Sequence, residues 1–129
     1  MTMNKKKVMY SVEFPMRCSP AILYSFLATP VGLQEWFADK VDQRENTFYF
    51  TWNGSTDSAV ILEHLDNEFI RYRWNHYTKD EFFEFSIEQS SVTSETILRI
   101  TDFADKGDLK DQERLWSSQV HDLKHRIGS

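Results

Sequence analysis

Hydrophobic and polar residues alternate along much of the chain, beginning at residues 7–14. In that stretch every second side chain from Val8 to Phe14 is apolar or aromatic, and Pro15 ends the run. A period of two is typical of a strand with one face on a core and the other in water. From Val41 onward the pattern predicts strand after strand, with clear members at residues 47–52, 57–65, 69–74, 81–88 and 93–103. The turn dipeptide Asn53-Gly54 predicts antiparallel pairing of the strands that flank it.

The period changes to that of a helix between the first strand and Val41. Ser19-Pro20 supplies an N-cap residue followed by proline at the first helical position. We expect this helix to stop near Thr29-Pro30, because the residue before a proline disfavours the α conformation. The pattern of residues 31–37 then predicts one or two further helical turns.

A second helical pattern follows Gly107. Apolar residues from Leu109 to Ile127 recur at helical spacing, with charged residues between them. Asp108 is placed to act as N-cap, and Gly128 follows the last apolar residue as a C-cap. The pattern predicts one amphipathic helix of about five turns.

These elements in order are a strand, two short helices, roughly six antiparallel strands and a long helix. A curved sheet with one apolar face needs a cover, and the last helix is the only predicted element long enough to lie across it. We therefore expect an α+β protein in which six to seven strands wrap around the C-terminal helix, as a single domain over residues 1–129. Such curvature tends to leave a space between helix and strands, where a ligand would lie.

Charge and composition narrow the classes of function. The 129 residues carry a net charge of -5, which argues against a broad basic surface for nucleic acid. We interpret the basic run Lys5-Lys6-Lys7 as a terminal tail. Cys18 is the only cysteine, so no intramolecular disulfide can form. With no membrane-length apolar stretch and no signal-peptide pattern in the first ten residues, we expect a soluble cytoplasmic protein without membrane insertion.

No pattern in the chain predicts catalysis, a metal site or a cofactor. His121 and His125 lie four residues apart but lack the glutamate and third ligand of a zinc site, so we interpret them as exposed. Asp102 is the closest acid/base candidate, because it shares its side of the alternation with Leu98 and Ile100. The simpler interpretation places Asp102 at the strand end, turned toward the following loop. We expect a protein that is not an enzyme, with no cofactor and no bound metal.

Three stretches together resemble the START-like, or SRPBCC, superfamily with its helix-grip fold: "SPAILYSFLATPVGLQEWFADKV", "FIRYRW" and "LWSSQVHDLKHRI". Within it, the chain is most similar to small bacterial START-like proteins related to the activator of the ninety-kilodalton heat-shock protein ATPase. The resemblance runs from about Lys7 to Ile127. One departure is Leu115, where relatives often have glycine before the tryptophan matched by Trp116, and it adds bulk next to the expected cavity. Superfamily members bind lipids, sterols, polyketides or hormones, carry out reactions in the cavity, or dock on partner proteins.

Two hypotheses follow. The first is non-enzymatic binding of a small hydrophobic or aromatic ligand between sheet and terminal helix. The expected lining is aromatic: Trp36, Phe37, Phe50, Trp52, Tyr72, Trp74, Phe83, Phe85 and Trp116. The same rings would equally fill a packed core, and the pattern does not separate the two. The second hypothesis is a protein-interaction domain, such as a chaperone-associated regulator. It would contact a partner through the Glu35–Asp42 segment or through its charged outer sheet face: Arg71, Arg73, Glu84 and Glu88.

The adjacent pair Trp36 and Phe37 bears on both hypotheses. Neighbouring residues in a helix point about 100° apart, so the two rings cannot occupy the same depth of the core. We expect one ring to fill the core and the other to lie at the cavity mouth or under the terminal helix.

Overall fold

A computed structural model describes residues 7–128 of the protein. Its helices are α1 (Pro20–Ala28), α2 (Pro30–Gln34) and α3 (Leu109–Ile127), the last preceded by a short 3-10 turn over Lys106–Asp108. Its strands are β1 (Val8–Met16), β2 (Lys40–Arg44), β3 (Thr47–Trp52), β4 (Ser55–Leu65), β5 (Phe69–Trp74), β6 (Phe83–Gln89) and β7 (Thr96–Ala104). Lys5 and Lys6 of the predicted basic tail lie outside the described residues.

All seven strands join one antiparallel sheet in the order β1-β7-β6-β5-β4-β3-β2. The first strand pairs with the last, while the others follow one another as hairpins. The two short helices come between β1 and β2, and α3 closes the chain. This confirms the predicted α+β class and the helix-grip arrangement.

Local chemistry sets where the short helices begin. The hydroxyl of Ser19 accepts a hydrogen bond from the Ile22 amide at 3.2 Å, and that of Thr29 accepts one from the Gly32 amide at 3.0 Å. In both helices the cap is followed by proline, which has no amide hydrogen to leave unpaired. The second helix ends at Gln34, so residues 35–37 form a turn rather than the helical continuation that the pattern predicted.

The helix α3 has its N-cap and C-cap at the two residues that the sequence predicted. Asp108 occupies the N-cap, although its side chain makes no capping hydrogen bond. Gly128 adopts a left-handed φ of 83° and donates its amide to the Lys124 carbonyl at 2.9 Å. A left-handed residue suits glycine because it has no Cβ to clash. No helix within residues 7–128 is both long and apolar enough to cross a membrane.

The core lies between the inner face of the sheet and the three helices. Every second residue of β7, from Thr96 to Ala104, is buried, which includes Asp102. The helix α3 contributes Trp116, Val120 and Leu123 to the same core. The strand β7 begins three residues later than predicted, because Ser90 to Glu95 form a tight turn in which Ser94 has a φ of 61°.

The contact between α1 and α2 depends on the absence of a side chain at Gly32. A Cβ at this position would lie 2.1 Å from the Ser25 carbonyl oxygen and 2.6 Å from the Phe26 Cα, both backbone atoms that cannot move alone. We predict that Gly32→Ala lowers the free energy of unfolding by about 1–3 kcal/mol, the usual cost of overpacking. Urea denaturation measures the difference.

Gly107→Ala is the matched control. A Cβ there meets no atom within 4 Å. We expect its stability to stay at or slightly above that of the wild type. Equal stability of the two variants would contradict the close helix contact.

Candidate functional site

A cleft of about 470 Å³ lies between α3 and the ends of β3 and β5. We call it the aromatic cleft. Its apolar side is formed by Phe37, Trp52, Trp74, Leu115 and Trp116. Its polar side is formed by His76, Tyr77, Asp102, Gln112 and Gln119. A mainly aromatic lining with a few convergent polar groups is typical of small-molecule sites.

The rings of the apolar side are fixed by packing on one another. Phe37 stacks on Trp116 with ring centroids 5.8 Å apart and planes 12° apart. Its ring meets that of Trp52 edge to face with centroids 5.4 Å apart, and it stacks on Trp74 with centroids 6.3 Å apart. The indole N–H of Trp52 also donates to the Phe37 carbonyl at 2.8 Å. Phe37 therefore contacts the three tryptophans of the apolar side. These rings are held in place by one another without a ligand.

Asp102 is the buried acid of the polar side, with only 5% of its surface exposed. Its Oδ1 accepts hydrogen bonds from the Tyr77 hydroxyl at 2.6 Å and the Phe103 amide at 2.8 Å. Its Oδ2 accepts one from the Trp116 indole at 3.2 Å. Burial raises the pKa of Asp102, and the three hydrogen bonds oppose that rise because they favour the charged form.

The position of Asp102 corrects the simpler of our two sequence interpretations. The strand β7 continues two residues beyond it to Ala104, so Asp102 is not at the strand end and faces inward. The alternation that it shares with Leu98 and Ile100 was the correct signal. A buried carboxylate is tolerated here because Tyr77, Phe103 and Trp116 all donate to it.

Tyr10 faces Asp102 across the β1–β7 pair. Within the described part of the chain its hydroxyl is buried and has no hydrogen-bond partner. The Trp116 indole lies near that hydroxyl but donates to Asp102. Burial and the neighbouring Asp102 raise the pKa of Tyr10, and the same two causes raise the pKa of Tyr77.

Four of the nine predicted lining residues reach the aromatic cleft: Phe37, Trp52, Trp74 and Trp116. The other five do not: Trp36, Phe50, Tyr72, Phe83 and Phe85. Four of those five are completely buried and pack deeper in the core. The hydroxyl of Tyr72, one of these five residues, donates to the Leu27 carbonyl at 2.8 Å.

Four cleft residues were not singled out from the sequence: His76, Tyr77, Gln112 and Gln119. A usable signal existed for the two glutamines. Gln112, Leu115, Trp116 and Gln119 are spaced as neighbours on one face of a helix, so the position of Trp116 implied the other three. Nothing comparable marked His76 and Tyr77, which lie in the loop after β5.

Trp36 and Phe37 have different partners, as we expected, although they lie in a turn rather than in a helix. The Trp36 indole donates to the Phe26 carbonyl of α1 at 2.8 Å, which ties the turn after α2 to the core. Phe37 lies under α3, against Trp116. Both residues are buried, so neither ring is a free lid.

A second, larger groove of about 720 Å³ also has Phe37 in its lining. We call it the charged groove. It shares Phe37, Trp52 and Gln119 with the aromatic cleft, but most of its lining is polar or charged: Gln34, Glu35, Asp39, Asp122, His125 and Arg126. Arg126 and Glu35 approach to 3.9 Å across it. Such a wet, charged surface offers little driving force for an apolar ligand.

The α3 histidines and the charges of the outer sheet face do not line the aromatic cleft. His121 and His125 are exposed, and no cluster of His, Cys, Asp or Glu within residues 7–128 is placed to hold a metal. On the outer sheet face Arg71 pairs with Glu84 at 2.8 Å, and Glu88 pairs with Arg99. Arg73 donates to the carbonyls of Glu81 and Lys79.

The sheet, the gripped helix and the cleft between them define a helix-grip protein, and comparison with known proteins assigns the family. Residues 3–129 match the model of the START-like superfamily domain. The chain therefore belongs to the START-like superfamily, which confirms the resemblance seen in its sequence. No curated protein sequence matches the chain.

Solved structures agree with this assignment. A protein from Bacteroides fragilis, solved by NMR, is 32% identical over 95% of this chain and 92% of that one, with a TM-score of 0.68. The Aha1 dimer from Colwellia psychrerythraea is 18% identical over 91% and 93%, with a TM-score of 0.75. A protein from Mesorhizobium loti is 18% identical over 94% and 97%, with a TM-score of 0.76. The last two show the shared fold alone.

Tyr10 and Tyr72 provide a matched test of the hydrogen bonding around the cleft. We predict that Tyr72→Phe lowers the free energy of unfolding by about 1–3 kcal/mol, because it leaves the Leu27 carbonyl unpaired in the core. Tyr10→Phe removes a hydroxyl that has no hydrogen-bond partner within residues 7–128, so we expect no loss or a gain in stability. Chemical denaturation of both variants measures the difference, and equal losses would show that the Tyr10 hydroxyl is bonded in solution.

Proposed function

We propose that the protein binds a small hydrophobic or aromatic ligand in the aromatic cleft and does so without catalysis. The observation that carries this proposal is that three of the four tryptophans, Trp52, Trp74 and Trp116, line one cleft together with Phe37. Large rings facing a cleft are costly in water, and a ligand that covers them releases that water. Hydrophobic ligands are common in the superfamily, which supports the same proposal.

The cleft has the size that such a ligand needs. Its volume of about 470 Å³ falls within the roughly 300–1,000 Å³ of ordinary small-molecule sites. Its rings already pack on one another, so little conformational entropy is lost when a ligand binds.

Binding without turnover fits the chemistry of the lining. The described residues around the cleft include no Ser, Cys or Lys to attack a substrate. The buried Asp102 and the partly buried Tyr77 are hydrogen-bonded to each other. We therefore propose that they hold a ligand in place rather than transform it.

The interaction-domain hypothesis stays a prediction. The outer-face charges are bonded to neighbouring strands or, for Arg73, to the loop after β5, so a partner on that face would have to displace those bonds. No contact among residues 7–128 specifically favours this hypothesis.

The proposal predicts that hydrophobic ligands bind to the wild-type protein, quench its tryptophan fluorescence and raise its melting temperature. A panel of fatty acids, sterols and small aromatic compounds tests this. Leu115 is half exposed at the cleft, so Leu115→Trp should fold normally and fill the site. We expect this variant to lose about tenfold or more in affinity by calorimetry, a difference of about 1.4 kcal/mol.

Ser118→Trp is the matched control, because Ser118 is exposed on the same helix and lies outside the cleft. It should bind as the wild type does. The proposal is wrong if no compound of the panel binds, or if both tryptophan variants bind as the wild type does.

A further inference from the structure

We infer that the ligand of the aromatic cleft is an organic cation, an aromatic or apolar body that carries a protonated amine. This inference rests on the proposed function, because it names the class of ligand for the same cleft. Charge, hydrogen-bonding capacity and the ring faces around Asp102 lead to it separately.

The charge of the lining has one sign. Among the described residues around the cleft, Asp102 is the only Asp, Glu, Lys or Arg. His76 is exposed at the rim and stacks on Trp74 at 6.1 Å. A ligand that enters the cleft therefore meets a single fixed charge, which is a buried carboxylate.

That carboxylate has no partner of opposite charge among residues 7–128. Asp102 makes hydrogen bonds to Tyr77, Phe103 and Trp116 but no salt bridge. Lys7 exerts a weaker attraction on it than the hydrogen bonds do, and the Lys7 ammonium itself lies 3.5 Å from Glu81 and over the Tyr77 ring. Buried charges are normally paired, so a cationic ligand would supply the positive partner that residues 7–128 do not.

Asp102 also retains capacity to accept another hydrogen bond. An ionised carboxylate offers about four acceptor positions, and three are in use here. Two of the three are on Oδ1, while Oδ2 accepts only the 3.2 Å bond from Trp116. An ammonium group is a donor with no acceptor of its own, so it matches the unused positions.

The rings around the cleft favour the same charge. The face of an indole or benzene ring is electron-rich and attracts a cation within about 6 Å of its centroid. Trp52, Trp74, Trp116 and Phe37 supply such rings to the lining of the cleft. Fatty acids and phosphates would instead bring a negative charge toward Asp102, where repulsion in a partly dry site is strong.

Three probes with one ring system and one two-carbon spacer test the inference: naphthylethylamine, naphthylethanol and naphthylpropionic acid. Calorimetry on the wild-type protein at neutral pH measures each affinity. We expect the amine to bind about tenfold or more tighter than the alcohol, as a charge-assisted hydrogen bond allows, and the acid to bind weakest. Asp102→Asn should remove most of the advantage of the amine while the alcohol still binds.

Glu113→Gln is the control for a general charge effect, since Glu113 is a partly buried acid on α3 outside the cleft. It should keep the wild-type order of affinities. The three wild-type measurements decide the inference even if Asp102→Asn fails to fold. Equal affinities, or tightest binding by the acid, would overturn the inference and leave the proposed function standing. Failure of all three probes to bind would contradict both.

Discussion

The contact of Trp116 with Phe37 and Asp102 determines how α3 meets the sheet. The indole stacks on Phe37 with one face and donates its N–H to the carboxylate of Asp102. These two contacts join the terminal helix to the turn after α2 and to β7. Trp116, Phe37 and Asp102 all line the aromatic cleft, so the cleft lies beside this junction.

Burial along the strands explains why one end of the sheet is packed and the other is open. Inward side chains of β3 are completely buried at Phe48 and Phe50 but partly exposed at Trp52. On β5 the same change occurs between Tyr72 and Trp74. The rings at the strand ends are therefore the ones that a ligand can cover, while the deeper rings stabilise the fold.

Much of the fold could be predicted from the sequence because its local signals agree with one another. The alternation placed the strands, and Ser19-Pro20 and Gly128 marked helix ends that the structure confirms. The site was predicted only in part. Trp52 and Tyr72 both lie on the inward side of the alternation, but Trp52 ends its strand at the cleft whereas Tyr72 lies inside its strand under α1. The alternation placed Asp102 on the inward side of its strand, as the structure has it. Its burial, however, depends on hydrogen-bond donors from Tyr77 and Trp116, which are distant in sequence.

The four tryptophans allow one measurement to locate the ligand. Trp74 and Trp116 line the aromatic cleft but not the charged groove, Trp36 lines only the charged groove, and Trp52 borders both. Proton–nitrogen NMR spectra recorded during titration with naphthylethylamine resolve their four indole N–H signals. Our account predicts that the Trp74 and Trp116 signals shift with ligand while the Trp36 signal stays in place. A shift of Trp36 without Trp74 and Trp116, or no shift at all, would contradict it.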